Sequence, residues 1–239
     1  MLLSEVIKTF VESVVFLLFL VFAPAAVGKY AAKHPELGLG ALEPAVETYL
    51  VIFTCIVLWN EVLTRGNDFD VAAVIVKNAV GLKPAGAALE CCAVISLAGA
   101  AVGVLGLYLP EVFPNLPTID DESPFWLSFL LEAFCNFIHT GMICVAFVCA
   151  KDVPATRFLQ MAATAMIIVS AQPFIGGGPL LNVGLAITSA LKNLHPLSGV
   201  VHVSGDLAGA FLAVSVFTPR RKGQVAAEGE AEPEAKKEK

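Results

Sequence analysis

Residues 176–188 read Gly-Gly-Gly-Pro-Leu-Leu-Asn-Val-Gly-Leu-Ala-Ile-Thr, a break set between two apolar stretches that are each nearly long enough to cross a bilayer. Facing lipid, such a break would leave peptide groups without hydrogen-bond partners. It is tolerated only when buried in protein or lining a water-filled cavity. Asn182 suits a helix N-cap, and helix-compatible residues follow it to about Leu191. The sequence therefore predicts a short half-helix whose positive end points into the membrane.

The rest of the chain agrees with a membrane setting. Of 239 residues, 57% are hydrophobic and 15% charged, whereas a soluble domain carries about a quarter charged. The net charge of −6 comes partly from an acidic tail and points to no nucleic-acid partner. Cys55, Cys91, Cys92, Cys135 and Cys144 fall inside apolar runs, with Cys149 at the end of one, in neither a disulfide nor a zinc pattern. They read as small packing residues. Ala23-Pro24-Ala25 resembles a signal-peptide cleavage site, but Glu12 interrupts the first apolar run and five more runs follow, so it reads as an uncleaved span.

Six spans are expected: Val6 to Val27, Ala45 to Leu63, Pro84 to Leu109, Pro124 to Ala150, Thr156 to Gln172 and Val200 to Phe217. A second polar break, Thr64 to Asp70, precedes a short helical run from Val71 to Val80, stopped by Gly81 and Pro84. The acidic, proline-bearing stretch Pro110 to Ser123 separates two halves, 1–109 and 124–217, and residues 218–239 form a disordered tail. Glu12 and Glu132, 120 positions apart, stand early in the first span of each half. Two copies of an odd number of spans must lie in opposite orientations, the inverted-repeat plan of membrane transport proteins. Lys8, Arg65, Lys77, Lys83, Lys151, Arg157 and Arg220 to Lys222 then fall inside, and only Lys29, Lys33 and Lys192 outside, which puts both termini in the cytoplasm.

Up to Phe217 this layout resembles the aquaporin (major intrinsic protein) family. Glu12 and Glu132 match the glutamates of its first and fourth spans. Gly66-Asn67-Asp68-Phe69-Asp70-Val71-Ala72 aligns with its first pore loop, usually Gly-x-x-x-Asn-Pro-Ala. Gly177-Gly178-Pro179-Leu180-Leu181-Asn182-Val183-Gly184-Leu185 aligns with the second, usually Gly-Gly-x-x-x-Asn-Pro-Ala-Arg. Ser204 to Gly209 fits the span-six glycine pattern with one substitution. Both triplets, Asp70-Val71-Ala72 and Asn182-Val183-Gly184, are degenerate, and with Leu185 in place of Arg they look like those of the unorthodox, or "super", aquaporins.

The resemblance implies an all-α membrane protein of six transmembrane helices and two re-entrant half-helices, passing water or small neutral solutes such as glycerol or hydrogen peroxide through the lipid bilayer, as a homotetramer, with no cofactor and no metal. It places the paired pore-loop residues at Asp70 and Asn182, the selectivity filter at Leu50, Ser170 and Leu185, and loop-bracing carboxylates at Glu12 and Glu132. Asn182 can donate to a passing oxygen, but an ionised Asp70 cannot, and its charge is comparable to the summed helix-end charge. Burial disfavours that charge and helix N-termini favour it, which leaves its state open. With Leu185 the filter is apolar and poor in donors.

Two other functions stand beside the channel. Asp70 and Asp206 resemble the paired aspartates of a membrane aspartyl protease only loosely, since Asp206 lacks a Gly-x-Gly before it and no Pro-Ala-Leu motif occurs; no enzymatic activity is expected. A non-conducting scaffold or adhesion protein is the stronger alternative, because both triplets lack the proline that fixes a first helical turn, and Leu180, Leu181 and Leu185 could fill the lumen. His139 and His202 read as polar residues at helix contacts.

Overall fold

A computed structural model describes residues 2–37, 44–58, 70–114, 116, 118–119, 124–148, 154–171 and 179–218. The expected breaks at 66–69 and 176–178, the acidic residues Asp120, Asp121 and Glu122, and the tail beyond Thr218 lie outside them. The described chain is all-helical: α1 (Leu3–Lys33), one 3-10 turn (Pro35–Leu37), α2 (Pro44–Val57), α3 (Val71–Ala79), α4 (Ala85–Tyr108), α5 (Phe125–Val148), α6 (Pro154–Ala171), α7 (Val183–Lys192) and α8 (Pro196–Phe217).

Among the described residues four helices, α1, α4, α5 and α8, are long and apolar enough to cross a membrane. The other two expected spans are shorter here. The described part of α2 ends near Leu58, with the rest of its expected length outside the described residues. The 18 residues of α6 begin with the polar Arg157 and Gln160, and their rise of about 27 Å falls just short of a ~30 Å hydrocarbon core. Exposure is arranged as a bilayer demands. Leu89, Leu97, Trp126, Phe134, Val200 and Phe211 are exposed, while Ser13, Glu132, Asn136, Thr140, Thr188, His202 and Asp206 are buried. Apolar surface outside and polar groups inside, most of them hydrogen-bonded, are consistent with a membrane protein.

The two short helices are punctuated alike. Asp70 (φ −124°) and Asn182 (φ −151°) are extended N-caps. Asp70 Oδ1 accepts the Ala72 N–H at 3.0 Å, and Asn182 Oδ1 accepts the Leu185 N–H at 3.0 Å, each satisfying a donor that the first turn leaves free. At the other end of α3, Gly81 turns left-handed (φ 75°); its N–H reaches Asn78 O, and the Leu82 N–H reaches Lys77 O. At the end of α7 the same pair of bonds forms from Leu194 to Leu191 O and from His195 to Ala190 O, with Leu194 at φ 54°. Pro84 and Pro196 then start the next helices.

A leucine in that left-handed position is strained where glycine is not. Leu194 is 71% exposed, so its side chain offsets little of the strain. Leu194→Gly is expected to raise the unfolding midpoint, by about 1 kcal/mol of stability, in thermal melts of the purified protein. An unchanged or lower midpoint would contradict the strained turn.

Packing relates the two halves. Among the helix pairs with substantial contact, α1 packs on α4 as α5 packs on α8, and α4 on α7 as α8 on α3. Likewise α7 meets α8 as α3 meets α4, α1 meets α2 as α5 meets α6, and α3 meets α5 as α7 meets α1; α2 and α6 meet each other. Exchanging α1–α4 for α5–α8 maps this set of helix pairs onto itself. The tightest approaches run over glycines. Gly205 and Gly209 bring α8 against Glu132, Ala133 and Phe137 of α5, while Gly99 and Gly103 bring α4 against Gly184, Thr188 and Leu191 of α7. Small residues let helix backbones close in lipid, where no hydrophobic force drives them together.

Candidate functional site

The starts of α3 and α7 share one core and one cavity. Val71 and Val183, the first residue of each helix, are buried in a single cluster with Val74, Ala88, Cys91 and Ile95. Asp70 and Asn182, the two caps, line a cavity of ≈ 200 Å³. Its inner end is formed by Leu180, Leu181 and the caps. Its wall continues along α3 to Lys77, along α5 from His139 to Phe147, and along α6 from Ile168 back to Arg157, with Phe16, Leu20 and Ile56 from α1 and α2. The eight residue steps from His139 to Phe147 rise about 12 Å. The space is large enough for several waters and has polar partners to hold them.

Glu132 holds the approach to Asn182. Its Oε1 accepts the Leu180 N–H at 3.1 Å and the Leu181 N–H at 3.0 Å, while Oε2 lies 2.7 Å from His202 Nδ1. Leu181 is left-handed (φ 51°) and 4% exposed, a conformation an L side chain resists by about 1–2 kcal/mol. The carboxylate therefore fixes a strained backbone. One turn along, Asn136 Nδ2 donates to Asp206 Oδ1 at 2.8 Å, and Thr140 donates to Asn136 Oδ1 at 2.6 Å. The result is a buried polar ladder between α5 and α8, set behind the cavity wall. Glu12 lies 3.7 Å from Lys8 on its own helix; the loop it would brace, 66–69, lies outside the described residues.

The remaining polar wall is a chain from α6 to α3. Thr164 Oγ1 donates to Gln160 O at 2.9 Å, His139 Nδ1 lies 2.9 Å from Thr164 Oγ1, and His139 Nε2 lies 3.4 Å from Asp70 Oδ2. The Asn182 amide nitrogen makes no hydrogen bond among the described residues, which leaves its N–H groups to whatever occupies the cavity.

Of the residues singled out from sequence, Asp70 and Asn182 come together here. Val71, Ala72, Val183 and Gly184 are buried behind them. Leu185 is half-buried and packs on the cluster of Leu17, Val21, Ala98, Val102 and Phe113. Leu50 and Ser170 are exposed on α2 and α6. Leu50, Ser170 and Leu185 do not line this cavity. His139, Thr164, Lys77 and Arg157 do, and sequence reading gave them no such role. One signal was present: Glu132, Asn136, His139 and Thr140 recur at helical spacing on an apolar helix, and a polar stripe of that period marks an interior face. Among the described residues no cluster of three or more His, Cys, Asp or Glu could hold a metal. No family model matches the sequence, and no curated protein matches it.

Proposed function

We propose that the protein is a passive membrane channel for water and small neutral solutes, built on an aquaporin-like plan of six spans and two re-entrant short helices. The observation that carries this reading is the shared cavity of Asp70 and Asn182, the N-caps of α3 and α7. The matching pattern of helix contacts in the two halves supports an inverted repeat. In that arrangement each half contributes one helix start, with roughly half a positive charge apiece, and the Asn182 amide faces the path. Lys77 and Arg157, at the opposite end of the cavity, fall on the cytoplasmic side under the positive-inside rule. A homotetramer and cytoplasmic termini belong to the same reading.

The channel reading needs no chemistry from the paired aspartates. Asp70 faces the cavity, whereas Asp206 is held by Asn136 between α5 and α8, so the two are not arranged as a catalytic dyad. A non-conducting scaffold is the second reading. It is favoured by Leu180 and Leu181, which stand beside Asn182 as the cavity's inner wall.

Proteoliposome swelling in water and glycerol gradients decides between them. The channel predicts faster volume change than in empty liposomes; no increase for any neutral solute leaves the scaffold. In the aquaporin-like reading Leu185 stands at a filter outside this cavity, and Leu185→Arg is expected to slow glycerol more than water because it adds fixed charge and donors there.

A further inference from the structure

The contacts of Thr164 favour one placement of the His139 proton. A hydroxyl has a single hydrogen, and Thr164 gives its own to Gln160 O. Thr164 Oγ1 can then only accept from His139, so Nδ1 carries a hydrogen. A neutral imidazole has one N–H, and with Nδ1 protonated its Nε2 would present a lone pair to Asp70 Oδ2 at 3.4 Å. Two facing acceptors repel. The contact becomes attractive only with a further proton between them. Asp70 Oδ1 also takes the Ala72 N–H at the positive end of α3, an environment suited to a carboxylate. The couple is thus an imidazolium facing a carboxylate, with no net charge.

We infer that His139 is a specificity-determining residue: its positive charge cancels that of Asp70 at the inner end of the cavity and so keeps cations out. The inference rests on the cavity being part of the permeation path. Of the other charged groups of the cavity wall, Lys77 stands seven residues along α3 from Asp70 with its ammonium 5.9 Å from the Phe147 ring centroid, and Arg157 stands seven residues along α6 from Thr164, about 10 Å of helix rise in each case. Glu132, His202 and Asp206 do not line the cavity, and they are engaged between α5 and α8. With His139 in place, the two helix starts leave the junction positive. Without it, the Asp70 charge offsets both, and the cavity gains an anionic wall beside the Asn182 amide.

The test is the ratio of potassium to water permeability in proteoliposomes of wild type, His139→Gln, Asp70→Asn and the double variant. His139→Gln is expected to raise the ratio about tenfold or more, as a unit charge a few ångströms from the path requires. The double variant returns it to the wild-type value, because the uncompensated carboxylate is gone. A residue that only filled space would show no such rescue. An unchanged ratio in His139→Gln, with water or glycerol still passing, overturns the inference and leaves the channel standing. No flux of any solute in any variant overturns the channel reading and the inference together. Should His139→Gln fail to fold, 15N spectra of histidine-labelled wild type and Asp70→Asn serve instead. An imidazolium in wild type that becomes neutral in Asp70→Asn supports the couple, and a neutral ring in both overturns it.

Discussion

Truncating Glu132 to alanine is expected to cost about 3 kcal/mol of stability. One carboxylate serves three partners at once: the Leu180 and Leu181 N–H groups on Oε1, and His202 Nδ1 on Oε2. Its removal strands two backbone donors in a protein interior, at about 1–3 kcal/mol for each unsatisfied group, and leaves the left-handed turn at Leu181 without its restraint. It also relieves Asp206 of a neighbouring carboxyl, which trims the loss. Glu132→Gln separates the contributions. Its amide oxygen can still accept both N–H groups, while its amide nitrogen meets His202 Nδ1 well only if that nitrogen becomes an acceptor, so a smaller loss of about 1–2 kcal/mol follows. Thermal or denaturant unfolding in detergent gives both values. Hydrogen exchange locates them: protection at Leu180 and Leu181 should vanish in the alanine variant and survive in the glutamine one. If Glu132→Ala melts with wild type, the carboxylate does not hold this turn.

How much could be read beforehand depended on how local each determinant is. The two short helices were legible because their signals sit within a few residues: an Asx cap at each start, and Gly81 with Pro84 to stop the first. Where the local signal is atypical the reading slipped. The last helix begins at Pro196 rather than near Val200 because His195, an uncommon cap, accepts the Ser198 N–H through Nδ1 at 3.2 Å. The first helix runs on to Lys33, since Lys29 and Lys33, which suggested a loop, suit the negative end of a helix equally well. The left-handed Leu194 carried no glycine to announce it.

The site was legible only in part for the same reason. Asp70 and Asn182 stood out as caps, each beside the helix it starts. The His139 contact joins residues 69 positions apart, and it depends on how α3 and α5 are rotated against one another, to which neither segment's own pattern responds. Leu50 and Ser170 were placed by counting along the chain. Neither lines the cavity, and because a helix turns 100° per residue, counting alone does not fix which face a side chain takes.

Gly99→Ala and Gly86→Ala make the same chemical change on the same helix and should move stability in opposite directions. A Cβ at Gly99 would land on the Gly184 carbonyl oxygen and 2.9 Å from Gly184 Cα. Both are backbone atoms, so no side-chain rotation relieves the clash, and α4 and α7 must part. Parting them also strains the bond from Thr188 Oγ1 to Gly99 O at 3.0 Å. Overpacking of this kind typically costs about 1–3 kcal/mol, and the rigid partner argues for the upper end. At Gly86 nothing lies within 4 Å of an added Cβ, so the alanine gains helix propensity of up to about 1 kcal/mol. Thermal midpoints of the two variants should therefore straddle wild type, a comparison independent of any functional assay. Because α7 begins at the Asn182 cap, the displacement reaches the cavity as well. Any solute flux should fall in Gly99→Ala even where the protein remains folded, and stay at the wild-type level in Gly86→Ala. Equal midpoints for the two alanines would mean that α4 and α7 do not meet backbone to backbone, and the Asn182 cap that lines the cavity would lose its support from α4.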